Sequence, residues 1–181
     1  MEMQIIKFLN QLWFNWINPA TSLISSELFL ILLWTLITFA IFILDKRNGK
    51  KVLFTVIVAL ILHFSISEGL IKHFLADYFF RIRPYNFDHS ILPIGKKYID
   101  SSFPSSHMAS TLAVLSVFFY YYRKFWSVMF LFILFMAFAR MHNGMHYPSD
   151  VLVGLFLGII YGAGGIYFAK VMRVWISKSL T

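Results

Sequence analysis

The sequence predicts an all-α protein: a polytopic membrane helix bundle with about five transmembrane helices and an N-terminal amphipathic helix at the interface. Three observations carry this. Of the 181 residues 59% are hydrophobic and only 13% charged, about half the ~25% charged share of a soluble domain. Long uncharged runs recur along the whole chain, and Lys and Arg gather between alternate runs. Disorder is excluded as well, because it requires low hydrophobicity.

In residues 3–18, Ile5, Phe8, Leu9, Leu12, Trp13 and Trp16 share one helical face. Lys7, Asn10, Gln11, Asn15 and Asn18 share the other. That pattern predicts a helix lying in the membrane interface with Trp anchors. A sixth span is the alternative. A signal peptide fits poorly, since the start lacks a basic region and polar residues interrupt the apolar ones.

Spanning helices are expected at 28–44, 52–71, 107–122, 125–140 and 150–170, in a single domain covering 1–181. Glu27 and Asp45 bracket the first, and the second contains His63. The third and fourth are short against the ~20 residues that cross a bilayer, so their flanks should lie near the head groups. In the fifth, Gly154, Gly158 and Gly162 recur every four residues, a small-residue ridge for close helix packing. Residues 73–106 read as an outward segment with short helices.

Charge sets the orientation. Lys46, Arg47, Lys50, Lys51, Arg123, Lys124, Lys170, Arg173 and Lys178 fall on one side of a five-span bundle. That side is expected in the cytoplasm. The N-terminus, the segment after Lys72 and the loop 140–149 then face outward. The net charge of +8 suits anionic lipid head groups, and no basic stretch has the soluble scaffold that nucleic acid binding needs. The absence of cysteine excludes disulfides, thiol catalysis and thiolate metal sites.

Three polar groups converge on the outward side: Arg83-Pro84, Pro104-Ser105-Ser106-His107, and Arg140 with His146 and Asp150. Ser105 and Ser106 before a helix are N-cap residues, and a helix N-terminus also receives anions. Pro148 favours a first helical turn, which places Asp150 in that turn and His146 just before it. A carboxylate there can hold one imidazole nitrogen and expose the other as nucleophile or base; the plain alternative is an acidic residue favoured by the helix dipole. Arg83 and Arg140 are interfacial side chains on one reading and bidentate phosphate ligands on the other.

Together these residues resemble the type 2 phosphatidic acid phosphatase family of membrane lipid phosphatases. Its blocks are Lys-x6-Arg-Pro, Pro-Ser-Gly-His and Ser-Arg-x5-His-x3-Asp, and the resemblance spans roughly residues 72 to 155 of this chain. The departures are Ala76 for the lysine, Ser106 for the glycine and Ala139 for the serine. Lys72 lies one turn before the lysine position, with Glu68 at i,i+4 as a structural partner; Arg81 is a second substitute. The resemblance implies His146 as a nucleophile forming a phosphohistidine and Asp150 as its orienter. It implies His107 as the acid and base, and Arg83, Arg140, Ser105, Ser106 and Lys72 as phosphate ligands.

It further implies that no metal or cofactor is required. The expected substrate is a lipid phosphate at the periplasmic face of a bacterial inner membrane: lipid A 1-phosphate, undecaprenyl diphosphate or phosphatidylglycerol phosphate. Tyr85, Lys96, Lys97 and Phe103 are candidates for head-group selection, or parts of a solvated loop. Vanadium haloperoxidases share the site design but are large and soluble. The competing classes are a transporter or channel, disfavoured by the lack of a repeated half, and a structural membrane protein without activity.

Overall fold

The computed structural model describes residues 1–11 and 15–179. Its helices, in order, are α1 (Glu2–Asn10), α2 (Asn18–Ile24), α3 (Glu27–Leu44), α4 (Gly49–His63), α5 (Ser106–Tyr121), α6 (Trp126–His142) and α7 (Pro148–Ser179). Between Phe74 and α5 lie two four-residue helical turns, Ala76–Phe79 and Pro84–Phe87, in otherwise irregular chain.

α5 is the axis of the bundle. Ten of its 16 residues are buried, because it is apolar on every side and other helices cover it. α7 runs parallel to α5 along the predicted glycine ridge. A Cβ at Gly158 would stand 2.5 Å from the Ala109 carbonyl oxygen, so only glycine permits this approach. On its other side α7 meets α4 antiparallel, where a Cβ at Gly165 would stand 2.8 Å from the Thr55 oxygen. The outer faces of α3, α4, α6 and α7 expose large apolar residues such as Ile31, Ile57, Leu131 and Phe156, as a lipid-facing belt requires.

Among the described residues, Glu27–Leu44, Gly49–Phe74, Arg123–His142 and Pro148–Arg173 are long and apolar enough to cross a membrane. The sequence predicts a fifth span at 107–122. The corresponding α5 has 16 residues, about 24 Å at 1.5 Å per residue against a hydrocarbon core of ~30 Å. Its ends therefore meet protein: Ser105 N–H donates to the Asp150 carbonyl (3.1 Å) at one end. At the other, the Tyr122 hydroxyl donates to Asp45 Oδ2 (2.7 Å).

Two local departures shape the site. First, α4 does not stop at a cap. From Phe64 to Phe74 the helix widens into π-helical turns, and Leu75 N–H closes them on the Leu70 carbonyl at 2.8 Å. Such widening rotates every later side chain and often marks functional positions. Second, the helix expected over 3–18 is broken. α1 ends at Asn10, a 3-10 turn covers Asn15–Ile17, and Pro19 in the first turn starts α2. Leu12 and Trp13 lie outside the described residues.

Asn10 Nδ2 donates to the carbonyls of Leu92 (2.8 Å) and His142 (2.7 Å), and its Oδ1 accepts from Leu92 N–H (2.8 Å). The supposed solvent face of α1 is thus tied to the outward segment, and so are Lys7, by Asp88 (2.6 Å), and Glu2, by Arg81 (2.7 Å). Ile6 is fully buried with Tyr85, Ile91, Met145 and Tyr147. Ile5, Phe8 and Trp16 remain exposed.

Candidate active site

The ends of α4, α5, α6 and α7 meet beneath the segment between Leu75 and Ser105. That segment doubles back. Ser102 N–H donates to the Arg81 carbonyl (2.9 Å), and Arg81 N–H donates to Ser101 Oγ (3.0 Å). The pairing carries Arg83 inward until it is 2% exposed. Its guanidinium donates to the carbonyls of Asp100 (3.1 Å), Ser101 (3.3 Å) and Met145 (3.2 Å) and to Asp100 Oδ1 (2.7 Å).

A cavity of about 70 Å³ opens here, bounded by Lys72, Arg83, Ser106, His107, Arg140 and His146 among the expected residues. Glu27, Glu68, Tyr98 and Asp100 complete its wall. Ser105 and Asp150 stand behind it. Lys72 and Arg81, the two substitutes for the lysine, lie in different places. Lys72 reaches the cavity, 3.0 Å from Asp100 Oδ2, with Glu68 more distant at 3.9 Å. Arg81 lies outside, bonded to Asp150 Oδ1, Ser149 Oγ and Glu2 Oε2, each at 2.7 Å.

His146 is 1% exposed. Its Nδ1 lies 2.7 Å from the Ser102 carbonyl oxygen. A carbonyl only accepts, so Nδ1 carries the proton and Nε2 keeps its lone pair. Arg140 Nη2 stands 2.9 Å from that Nε2 and donates to it. Burial drives the His146 pKa well below its usual value, and Arg140, Arg83 and Lys72 push the same way. The imidazole is therefore neutral at pH 7, as a nucleophile must be.

The orienting atom differs from the one the spacing suggests. Asp150 Oδ2 is 3.9 Å from His146 Nδ1, beyond hydrogen-bond range. The first turn of α7 instead folds that carboxylate back onto Tyr147 N–H (2.9 Å) and Arg81 (2.7 Å). Asp150 braces the loop that carries His146 and adds negative charge behind it; the Ser102 carbonyl sets the tautomer.

Ser105 occupies the N-cap position of α5 with extended backbone, yet its side chain makes no capping bond. The hydroxyls of Ser102, Ser105 and Ser106, His107 Nε2 and Arg140 Nε are all buried without a partner. Buried polar groups are normally satisfied. Five orphans beside three cations describe a site for an anion rich in oxygen. The Ser25 carbonyl, at the end of α2, accepts from Arg140 Nη1 (3.4 Å).

Several of these parts have no sequence signature. Ser102 and Ser25 act through backbone oxygens. Asp100 and Glu27 were legible only as charges, and Tyr98 as a loop aromatic. Of the head-group candidates, Lys96 borders a second pocket of about 280 Å³ that shares Tyr98, Glu27 and Arg140 with the cavity. Tyr85 is buried, its hydroxyl pinned to the backbone of Tyr98 (2.6 and 2.8 Å). Phe103 stacks on Phe79, and Lys97 is exposed.

Residues 51–173 match the model of the PAP2 superfamily. Undecaprenyl-diphosphatase BcrC of Bacillus subtilis is 29% identical over 149 residues, 81% of this chain and 72% of that protein. The lipid A 4'-phosphatase of Bacteroides thetaiotaomicron is 29% identical over 137 residues, 71% of this chain and 59% of that protein. Among solved structures, Aquifex aeolicus LpxE superposes with a TM-score of 0.68 at 20% identity, covering 92% of this chain and 94% of that one. A transmembrane PAP2 type phosphatidylglycerolphosphate phosphatase from Bacillus subtilis gives 0.64 at 20% identity, over 97% and 85%. With its apolar helices and this match over most of its length, the chain is a multi-pass membrane protein that belongs to the PAP2 superfamily of phosphatases.

Proposed function

We propose that this lipid phosphatase removes a terminal phosphate, from a phosphomonoester or a diphosphate, on an envelope lipid through a phosphohistidine, without a metal ion. The observation that carries the reading is His146 Nε2, unprotonated, 2.9 Å from Arg140 and in one cavity with Lys72, Arg83 and His107. The lipid part rests on a groove of about 660 Å³ between α3 and α4. Leu30, Ile31, Phe39, Leu53, Val56, Ile57 and Leu60 line it, and its upper end shares Ser106 and His107 with the cavity. A phosphate in the cavity thus leaves its chains in the groove.

The steps follow from the positions. The phosphate displaces the Arg140–His146 contact and takes donors from Arg140, Arg83, Lys72 and the serine hydroxyls. His146 Nε2 attacks phosphorus while the P–O bond to the lipid breaks. His107, protonated once the anionic phosphate sits beside it, gives its Nε2 proton to the leaving oxygen. Water then attacks the phosphohistidine and passes a proton to His107; the P–N bond breaks and inorganic phosphate leaves. The cations offset the charge that builds on the equatorial oxygens.

Phosphate release by the purified protein tests this, with lipid A 1-phosphate, undecaprenyl diphosphate and phosphatidylglycerol phosphate as substrates. We expect hydrolysis of at least one, retained in chelator and blocked by vanadate, which mimics pentacoordinate phosphorus. Loss of activity in chelator would falsify the metal-free mechanism.

The reading also places the site at the periplasmic face of a bacterial inner membrane, from the positive residues at the opposite ends of the helices. The chain has no cysteine, so a single Arg47→Cys variant reports cleanly. A membrane-impermeant maleimide should leave it unlabelled in intact cells and label it after lysis. Labelling in intact cells reverses the orientation.

A further inference from the structure

Asp100 stands in the wall of the phosphate cavity with Glu27 and Glu68, and its charge has the wrong sign for a site that receives phosphate. Glu27 faces Lys96 at 3.6 Å, and Glu68 stands 3.9 Å from Lys72. Asp100 comes closer to the phosphate ligands. Its Oδ1 accepts from Arg83 Nη2 at 2.7 Å and its Oδ2 from Lys72 Nζ at 3.0 Å. Each carboxylate oxygen thus takes one of two cations that the phosphate needs.

Other carboxylates of this chain are fixed by the backbone. Asp45 accepts from the N–H groups of Arg47 and Asn48, Asp88 from Ser90 N–H, and Asp150 from Tyr147 N–H. The Asp100 carboxylate rests on Lys72 and Arg83 instead. It is 46% exposed, so water can receive it when those bonds break. Partial burial pushes its carboxyl pKa up, but Lys72 and Arg83 outweigh this and hold it below the ordinary carboxylate value. Asp100 is therefore an anion at pH 7.

Arg83 does not need that carboxylate to keep its place. Its guanidinium also donates to the carbonyls of Asp100, Ser101 and Met145, and these bonds stay when the side chain leaves. A guanidinium has five N–H donors, so the three carbonyls leave two, and the Asp100 carboxylate takes one of them. Carboxylate and phosphate oxygens compete for the same charge-assisted bonds, and two anions on one pair of cations repel each other.

We propose that Asp100 is a resident rival of the phosphate: it holds Lys72 and Arg83 while the site is empty, and it weakens any phosphate that binds there. This rests on the phosphatase reading and adds to it. The product of that reaction carries the group that the substrate presents, so a site of bare cations would retain it. A carboxylate that returns to both cations speeds its departure.

Titration calorimetry on the purified full chain in detergent, with inorganic phosphate and with vanadate, tests this in wild type and in Asp100→Asn. Asparagine keeps the shape and removes the charge. We expect both dissociation constants to fall by about tenfold, the scale of one hydrogen bond to a charged group. A merely structural Asp100 could not produce a gain in affinity. Constants that rise show that Asp100 orients the cations, and a change of less than about threefold shows no rivalry; either result overturns the proposal and leaves the phosphatase reading standing. Glu27→Gln removes the same charge from the Lys96 side of the same wall. It should shift the constants by less than about threefold, and a fall equal to that of Asp100→Asn overturns the proposal in favour of net charge. Asp100→Ser repeats the measurement if the asparagine variant does not fold; failure of both to fold makes Asp100 structural and overturns the proposal as well. Binding of neither anion to any form overturns the phosphate cavity itself, and the proposal with it.

Discussion

His146→Ala lowers phosphate release by about four orders of magnitude or more, the scale of removing a nucleophile whose partners act as a unit. The side chain is 1% exposed and its Nε2 has one neighbour, Arg140, at 2.9 Å. Its opposite nitrogen is anchored on the Ser102 carbonyl, which leaves the Nε2 lone pair facing Arg140. The fold should survive, because the loop is braced independently by Asp150, Tyr147 N–H and Arg81. Size-exclusion profile and phosphate release, measured on the same sample, check both halves. Activity within tenfold of wild type would remove His146 from the mechanism.

Arg140→Met should lower kcat by about 10²- to 10³-fold, the usual effect of deleting one donor from a transition-state anion site. Lysine should not rescue it, since it lacks the fork that reaches Ser25 and His146 together. The same variant should be no less stable than wild type. Arg140 is 1% exposed and, among the described residues, has no carboxylate within salt-bridge distance. A buried guanidinium without an ion partner is a burden on the empty protein, and methionine fills similar space without charge. Thermal unfolding without ligand should show a midpoint equal to or above wild type. A midpoint several degrees lower would mean that Arg140 is chiefly a structural clamp.

These two residues, with His107 and Arg83, were legible because they match the family's three blocks in order and interval. The apolar runs located α3, α4, α6 and α7 for a similarly direct reason: lipid contact suppresses charge over a helix length. What escaped the sequence shares a different property. Lys72 was a candidate from the sequence, but no periodicity of the residues 64–74 announces the widened helix end that carries it. The break between α1 and α2 depends on Asn10 reaching backbone more than eighty positions away. Asp150 lies at the right interval from His146 yet turns toward Tyr147 and Arg81; interval fixes proximity and leaves hydrogen-bond choice to the local turn. Ser102 and Ser25 contribute atoms that every residue possesses, so composition cannot point to them.

The Ser25 carbonyl has a consequence for where this enzyme can be cut. The region that matches the superfamily model starts at residue 51, yet Ser25 holds Arg140 through its carbonyl, and Glu2 steadies the Arg81–Asp150 pair from the very first turn. A chimera that grafts 51–173 onto another leader would carry every residue of the three blocks and still lose the peptide oxygen that receives Arg140. The stretch that carries the blocks and the stretch that holds the site together are thus different lengths of chain: the segment before residue 51 lies outside the first and is built into the second.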